Sequence, residues 1–161
     1  MIRNLILQVV FFVIVFNVLS WFRERSMLAT DVQMPLNTYQ VEQLNGDKRY
    51  VQAQGKTTVV YFFAPWCQIC NLSIENLEAI HQQNSNIDIM AIALDYESRE
   101  SVIDFAKRHQ LTFPMAYGTP EVKIAFKVKA YPSYYILNKD NSIVGKSLGY
   151  STETGLFLRT L

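Results

Sequence analysis

From Leu5 to Phe22 the chain is apolar almost without interruption, with only Gln8, Asn17 and Ser20 as polar exceptions. No polar face exists at helical spacing, which excludes the half-buried helix of a globular core. As a helix, about 18 such residues reach roughly 27 Å, close to the hydrocarbon thickness of a bilayer. Trp21 and Phe22 suit a membrane interface, and Arg23 and Arg25 lie beyond it. The pattern predicts an uncleaved transmembrane anchor over residues 1–22. A cleaved leader is the rival, but Ala29 after Met27-Leu28 is a poor cleavage site. Arg3 and the amino terminus stand against Arg23 and Arg25, so charge barely decides orientation. Residues 23–34 are polar and mixed, with no period. They predict a tether of about 12 residues, up to roughly 40 Å when extended, leaving the following domain free to rotate.

The domain, residues 35–161, alternates strand and helix patterns. Asn45-Gly46 predicts a hairpin between short edge strands near Asn37–Gln40 and Arg49–Val51. Thr57–Ala64 is apolar on both faces, as expected of a central strand covered on each side. Pro65-Trp66 ends it. A helix is predicted from about Cys67 to Gln83, with Ile69, Leu72, Leu77 and Ile80 towards one side. Ile87–Leu94 predicts a second buried strand ending in Asp95. Ser98 is an N-cap with Glu100 in the first turn, for a helix to about His109. Thr112–Tyr117 predicts a short extended piece. Thr119-Pro120-Glu121 opens a helix ending near Phe126. Tyr134–Leu137 and Ile143–Gly149 predict an antiparallel hairpin, and Ser151 or Thr152 a cap for a last helix to Leu161. Strand-helix-strand units imply parallel pairing with right-handed crossovers. The fold class expected is therefore α/β, a central mixed sheet flanked by helices behind one N-terminal transmembrane helix.

Composition narrows the function. Half of the 161 residues are hydrophobic, and the net charge is +1. A core of useful size can form, and nothing marks a nucleic-acid surface. Both cysteines sit in one Cys67-x-x-Cys70 pair. A buried strand delivers that pair to the first turn of a helix, where unpaired N–H groups and the helix dipole favour a thiolate. An inert disulfide is the competing reading, yet so small a ring gains only about 2 kcal/mol in the loop-entropy picture. Zinc is another, but only His81 and His109 remain as partners, and their spacing fits no common zinc pattern. Both histidines lie among polar neighbours and read as surface residues.

Ala64-Pro65-Trp66-Cys67-Gln68-Ile69-Cys70 after an apolar strand, with Tyr131-Pro132-Ser133 just before another, resembles the thioredoxin superfamily. The chain is most similar to its membrane-anchored bacterial branch of TlpA/ResA/DsbE type, over roughly Pro35 to the C-terminus. The resemblance implies a thioredoxin-like fold with an N-terminal extension and a helical insertion before the proline. It implies a thiol–disulfide oxidoreductase that needs no cofactor and no metal. Cys67 would be the nucleophile and Cys70 the resolving thiol. Trp66, Gln68 and Ile69 would form the site wall. Pro132 would be cis and, with Tyr131, would meet an extended substrate segment. The implied partners are proteins with cysteine pairs and a membrane-bound electron donor or acceptor, DsbD-like if the protein is a reductase. The implied location is the bacterial inner membrane, single-pass, with the catalytic domain periplasmic or otherwise extracytoplasmic. Cytochrome c maturation or a stress-linked oxidoreductase role would follow. A copper-binding module without redox turnover is the alternative, although Sco-type proteins use Cys-x-x-x-Cys and a distal histidine.

The chain departs from the family at two positions. Thioredoxin carries a buried acid six residues before its first cysteine, where Tyr61 stands here. The anchored reductases often carry a glutamate three residues after the second, where Ser73 stands. Asp95, at the C-terminal end of its strand, is a candidate substitute proton acceptor, with a solvated loop acid as the competing reading.

Overall fold

The computed structural model describes residues 2–160, apart from the side chains of residues 2, 3, 16 and 20–23. Met1 and Leu161, and the side chains of Trp21, Phe22 and Arg23 on which the expected interface rests, therefore lie outside the described residues. Helix α1 runs Ile2–Glu24, and its described apolar side chains, from Leu5 to Leu19, are largely exposed. Among the described residues no helix is long and apolar enough to cross a membrane. The fold by itself does not supply the spanning anchor that the sequence predicts.

The domain is one mixed seven-stranded sheet. Its strands are β1 (Gln40–Gln43), β2 (Lys48–Tyr50), β3 (Thr57–Phe63), β4 (Ile87–Ala93), β5 (Met115–Tyr117), β6 (Ser133–Leu137) and β7 (Ile143–Leu148). They lie in the order β2-β1-β5-β4-β3-β6-β7. β3 pairs parallel to β4 from Thr57↔Ile87 to Phe63↔Ala93 and antiparallel to β6. The helices are α2 (Gln68–Gln83), α3 (Arg99–Arg108), α4 (Pro120–Ala125) and α5 (Glu153–Thr160).

The near-continuous apolar run of β3 is explained by burial on both faces. Val59, Tyr61 and Phe63 join Ile74, Leu77 and Ile80 of α2, Phe105 of α3 and Leu156 of α5 in one core. Val60 and Phe62 point the other way, to Met90, Ile92, Val122, Phe126 and Tyr135. Each such side chain contributes about 1.5–3 kcal/mol by leaving water. β3 is paired on both sides, and at its C-terminal end Ala64-Pro65-Trp66 turns into α2.

Two expectations are corrected. Residues 23–34 are not a free tether. Met27 and Met34 are buried in the second core. Asp31 N donates to Ile143 O at 2.7 Å, Ile143 N to Val32 O at 2.9 Å and Met34 N to Asn141 O at 2.9 Å. Leu28 N donates to the Tyr135 hydroxyl, and Lys146 Nζ to Leu28 O. The buried Asn141 clasps this strap, donating to Met34 O at 2.9 Å and accepting from Ala53 N at 2.8 Å. The polar letters of the segment hid two buried methionines and a backbone that pairs with β7. The hairpin at Asn45-Gly46 also starts later than expected, at Gln40 rather than Asn37. Asn37 takes a left-handed φ of 54°, which ends any extended run there.

Candidate active site

Cys67 and Cys70 form a disulfide with Cα atoms 5.2 Å apart. Helix α2 begins one residue later than the pattern suggested, so Cys67 is its N-cap, with φ −76° and ψ 113°. Its Sγ accepts the N–H of Cys70 at 3.1 Å. A sulfur takes the place of the usual capping oxygen, and any negative charge on it meets an oriented backbone donor and the positive end of the dipole. Cys67 keeps 7% exposure while Cys70 is fully buried. Gln68 and Ile69, between them, are exposed.

Two walls flank the pair. Trp66 is 57% exposed. Tyr131 precedes Pro132 through a cis peptide bond, and Pro132 O accepts Gly149 N from the turn after β7. The two rings meet edge to face at 5.9 Å. Asp95 joins them. Its backbone carbonyl accepts the Trp66 indole N–H at 2.7 Å, and its Oδ2 accepts the Tyr131 hydroxyl at 2.8 Å and Lys123 Nζ at 2.5 Å. Asp95 reaches all three from a left-handed φ of 48°, a conformation that aspartate tolerates better than most residues. Gly118 closes the same corner from β5. A Cβ there would stand 2.8 Å from Ala93 O and 2.5 Å from a Leu94 methyl.

These contacts give Asp95 a different place from the one expected. They run to Lys123, Tyr131 and Trp66, and none is to a cysteine. The Lys123 ammonium, with the Tyr131 hydroxyl, holds its carboxyl below the usual carboxylate range, which makes it a weaker base. Burial, then the neighbouring carboxylate, pushes the Tyr131 phenol up. Asp95 thus braces the two walls, and none of these hydrogen bonds is to Cys70.

Behind Cys70 the two positions that depart from the family pattern meet each other. The Tyr61 hydroxyl and Ser73 Oγ are 2.6 Å apart, both buried. Ser73 also reaches Cys70 O at 3.5 Å. Burial drives the Tyr61 phenol well above its ordinary value, so it stays neutral. Tyr61 stacks on Tyr134, whose hydroxyl pairs with Ser151 at 2.6 Å and accepts Arg159 Nη1 at 2.9 Å. Ser151 is thus occupied here, and Thr152 caps α5 instead by accepting Gly155 N at 3.1 Å.

The histidines are not plain surface residues. His81 is half-buried, edge-on to Phe113 at 5.9 Å. The His109 side chain is only 9% exposed and bonds to Asn71 Oδ1 at 2.9 Å. Asn71 in turn donates to Cys67 O at 2.9 Å. Neither Asn71 nor Lys123 stood out in the sequence, because each sits at an ordinary polar position of a helix and gains meaning only from what lies across from it. No group of three or more His, Cys, Asp or Glu side chains able to hold a metal ion occurs among the described residues.

A mixed sheet with a cysteine pair capping the helix after its central strand, faced by a cis-proline loop, defines a thioredoxin-like thiol–disulfide oxidoreductase. The chain belongs to the AhpC/TSA family, whose profile matches residues 28–146. It is similar to the thioredoxin-like protein YneN of Bacillus subtilis, at 27% identity over 71% of this chain and 70% of that one. It is similar to the thiol-disulfide oxidoreductase ResA of Bacillus cereus, at 25% identity over 85% of this chain and 80% of that one. Among solved structures, StoA from Bacillus subtilis superimposes with a TM-score of 0.69 at 20% identity, over 76% of this chain and 96% of its own. That last likeness concerns the fold alone.

Proposed function

We propose that this protein is a membrane-attached protein thiol–disulfide oxidoreductase acting outside the cytoplasmic membrane, with Cys67 as nucleophile and Cys70 as resolving thiol. The observation that carries the reading is the position of Cys67 Sγ, at the capping site of α2 and within reach of Cys70 N–H. In the reduced protein the Cys67 thiolate attacks one sulfur of a substrate disulfide. A Cys67–substrate disulfide forms, and the other substrate sulfur leaves as a thiolate. Cys70 then gives up its proton and attacks Cys67 Sγ, which releases the second substrate thiolate and restores the Cys67–Cys70 disulfide. Two electrons pass to the substrate, and a donor dithiol returns two to the protein. Run backwards, the same steps oxidise a substrate dithiol. Trp66, Gln68, Ile69, Tyr131 and the cis Pro132 border the pair, and an extended peptide fits between the two walls with its backbone against the loop at Tyr131.

The exposed apolar surface of α1 supports membrane attachment. The apolar stretch from Leu5 to Phe22, part of whose side chains lie outside the described residues, would as a helix be roughly 27 Å long, close to the hydrocarbon thickness. An attached domain suits an electron partner in the same membrane, of the DsbD-like type where the protein reduces its substrate, and cytochrome c maturation is one pathway with such a need.

The test uses the full-length protein. Reduction of insulin disulfides by dithiothreitol should be accelerated, and the acceleration should vanish in Cys67→Ser. In cells the protein should stay with membranes through alkaline carbonate extraction and, after brief reduction of its disulfide, take up an impermeant maleimide at its cysteines. Equal insulin reduction with and without Cys67 would refute the enzyme reading. Release by carbonate, or protection from the maleimide, would refute the placement.

A further inference from the structure

Where the end of α3 meets the first turn of α2, Asn71, Arg108 and His109 form a cluster directly behind the cysteine pair. Asn71 Nδ2 donates to Cys67 O at 2.9 Å and reaches Pro65 O at 3.5 Å. Its Oδ1 accepts from Arg108 Nη1 at 3.2 Å and from His109 Nε2 at 2.9 Å. Backbone carbonyls only accept, and a guanidinium only donates. The amide can therefore face one way only, with its oxygen towards α3. An oxygen facing His109 in turn requires the proton to be on Nε2.

The histidine is placed by the core. Its ring lies 4.8 Å from Phe105, which lies 4.7 Å from Phe63 of β3. Its other nitrogen is 3.4 Å from Glu75 Oε1 on a side chain that is 73% exposed, so that contact is loose. Arg108 also borders a surface groove with Pro65, Trp66, Glu97, Ser101 and Asp104. Glu75, Glu97 and Asp104 are thus charged groups beside the cluster, which holds Arg108 itself.

We propose that Asn71 is a positioning residue for the redox pair, locked by His109 and Arg108 so that it fixes the carbonyls of Pro65 and Cys67. This rests on Cys67 being the nucleophile, as proposed above. The backbone of Cys67 sets where its sulfur sits, and Sγ must stay within reach of Cys70 N–H for that donor to stabilise a thiolate. Cys67 O is gripped twice by the same residue, through Asn71 N at 3.1 Å and through Nδ2. Only the side-chain grip also reaches back to Pro65, on the far side of Trp66.

The test titrates Cys67 in the reduced full-length protein, by alkylation rate against pH, with no substrate present. Asn71→Leu should raise the midpoint by roughly half to one pH unit, which is about a three- to tenfold loss of thiolate near neutrality. His109→Leu should produce part of that shift, and His109→Gln, which keeps a donor, should restore most of it. Thermal melts run alongside. A midpoint unchanged in Asn71→Leu while its melting temperature falls would overturn the proposal, as would identical midpoints for His109→Leu and His109→Gln. The two histidine variants decide the matter even where Asn71→Leu does not fold. Because no substrate is used, failure here leaves the insulin test of the enzyme untouched.

Discussion

The rim of the disulfide and the interior behind it are built on opposite principles. At the rim, Asp95, Lys123 and Tyr131 form a charged, water-exposed set around Trp66. Behind Cys70, Tyr61 and Ser73 form a sealed pair of neutral hydroxyls. Charge is inexpensive at the rim, where water screens it, and costly in the interior, where nothing does. The described contacts of Tyr61 and Ser73 include no carboxylate. Cys70 itself is fully buried beside them, while Cys67 keeps 7% exposure.

The largest test of that contrast puts a charge where there is none. Ser73→Glu would bury a carboxyl opposite Tyr61 and raise its folded-state titration far above the ordinary range. Such a group is tolerated while protonated, and its cost appears as pH rises. Urea unfolding should show little loss near pH 4 and about 3 kcal/mol near pH 7, as expected of a shift of roughly two units. A uniform loss across pH would mean steric damage, and no loss would mean the interior is not sealed.

Breaking the hydroxyl pair without adding charge comes next. Tyr61→Phe and Ser73→Ala should each cost about 1–2 kcal/mol, because each takes from a buried hydroxyl its 2.6 Å partner. The double variant should cost clearly less than the sum of the two. Strict additivity would show that the 2.6 Å contact carries no coupling.

The rim should respond least. Asp95→Asn removes the carboxylate but keeps the backbone carbonyl that holds Trp66, so its stability cost should stay below about 1 kcal/mol at neutral pH. The sign with pH is opposite to that of Ser73→Glu. Lys123 lowers the folded-state titration of Asp95, so its contribution is present above the unfolded-state value and fades as pH falls through the folded one. Wild type and Asp95→Asn should therefore converge in acid. Convergence at high pH instead would contradict the Lys123–Asp95 pairing.

Much of this molecule is legible in its sequence, because the strongest signals are local. The double-faced apolar run of β3, the caps at Ser98 and Thr119, and the spacing of Cys67 and Cys70 each report one short stretch. What stayed hidden depends on distance in the chain. Met27 and Met34 look like loop residues until β7 and Asn141 lie beside them. Asp95 looks like a spare acid until Lys123 and Tyr131 occupy it. Tyr61 and Ser73 look like two separate losses of an acid, and only the packing of α2 on β3 shows that they are one contact. His109 reads as surface because its helix is polar, while Phe105 and Asn71 draw its ring inward.

The central claim is that Cys67 attacks and Cys70 resolves. The direct measurement is mass spectrometry of adducts formed when each reduced single-cysteine variant meets a disulfide-containing peptide, with the joined residue mapped. Cys70→Ser should accumulate a stable mixed disulfide at Cys67 within the time of one turnover, and Cys67→Ser should form little or none. Faster adduct formation at Cys70 than at Cys67 would contradict the account.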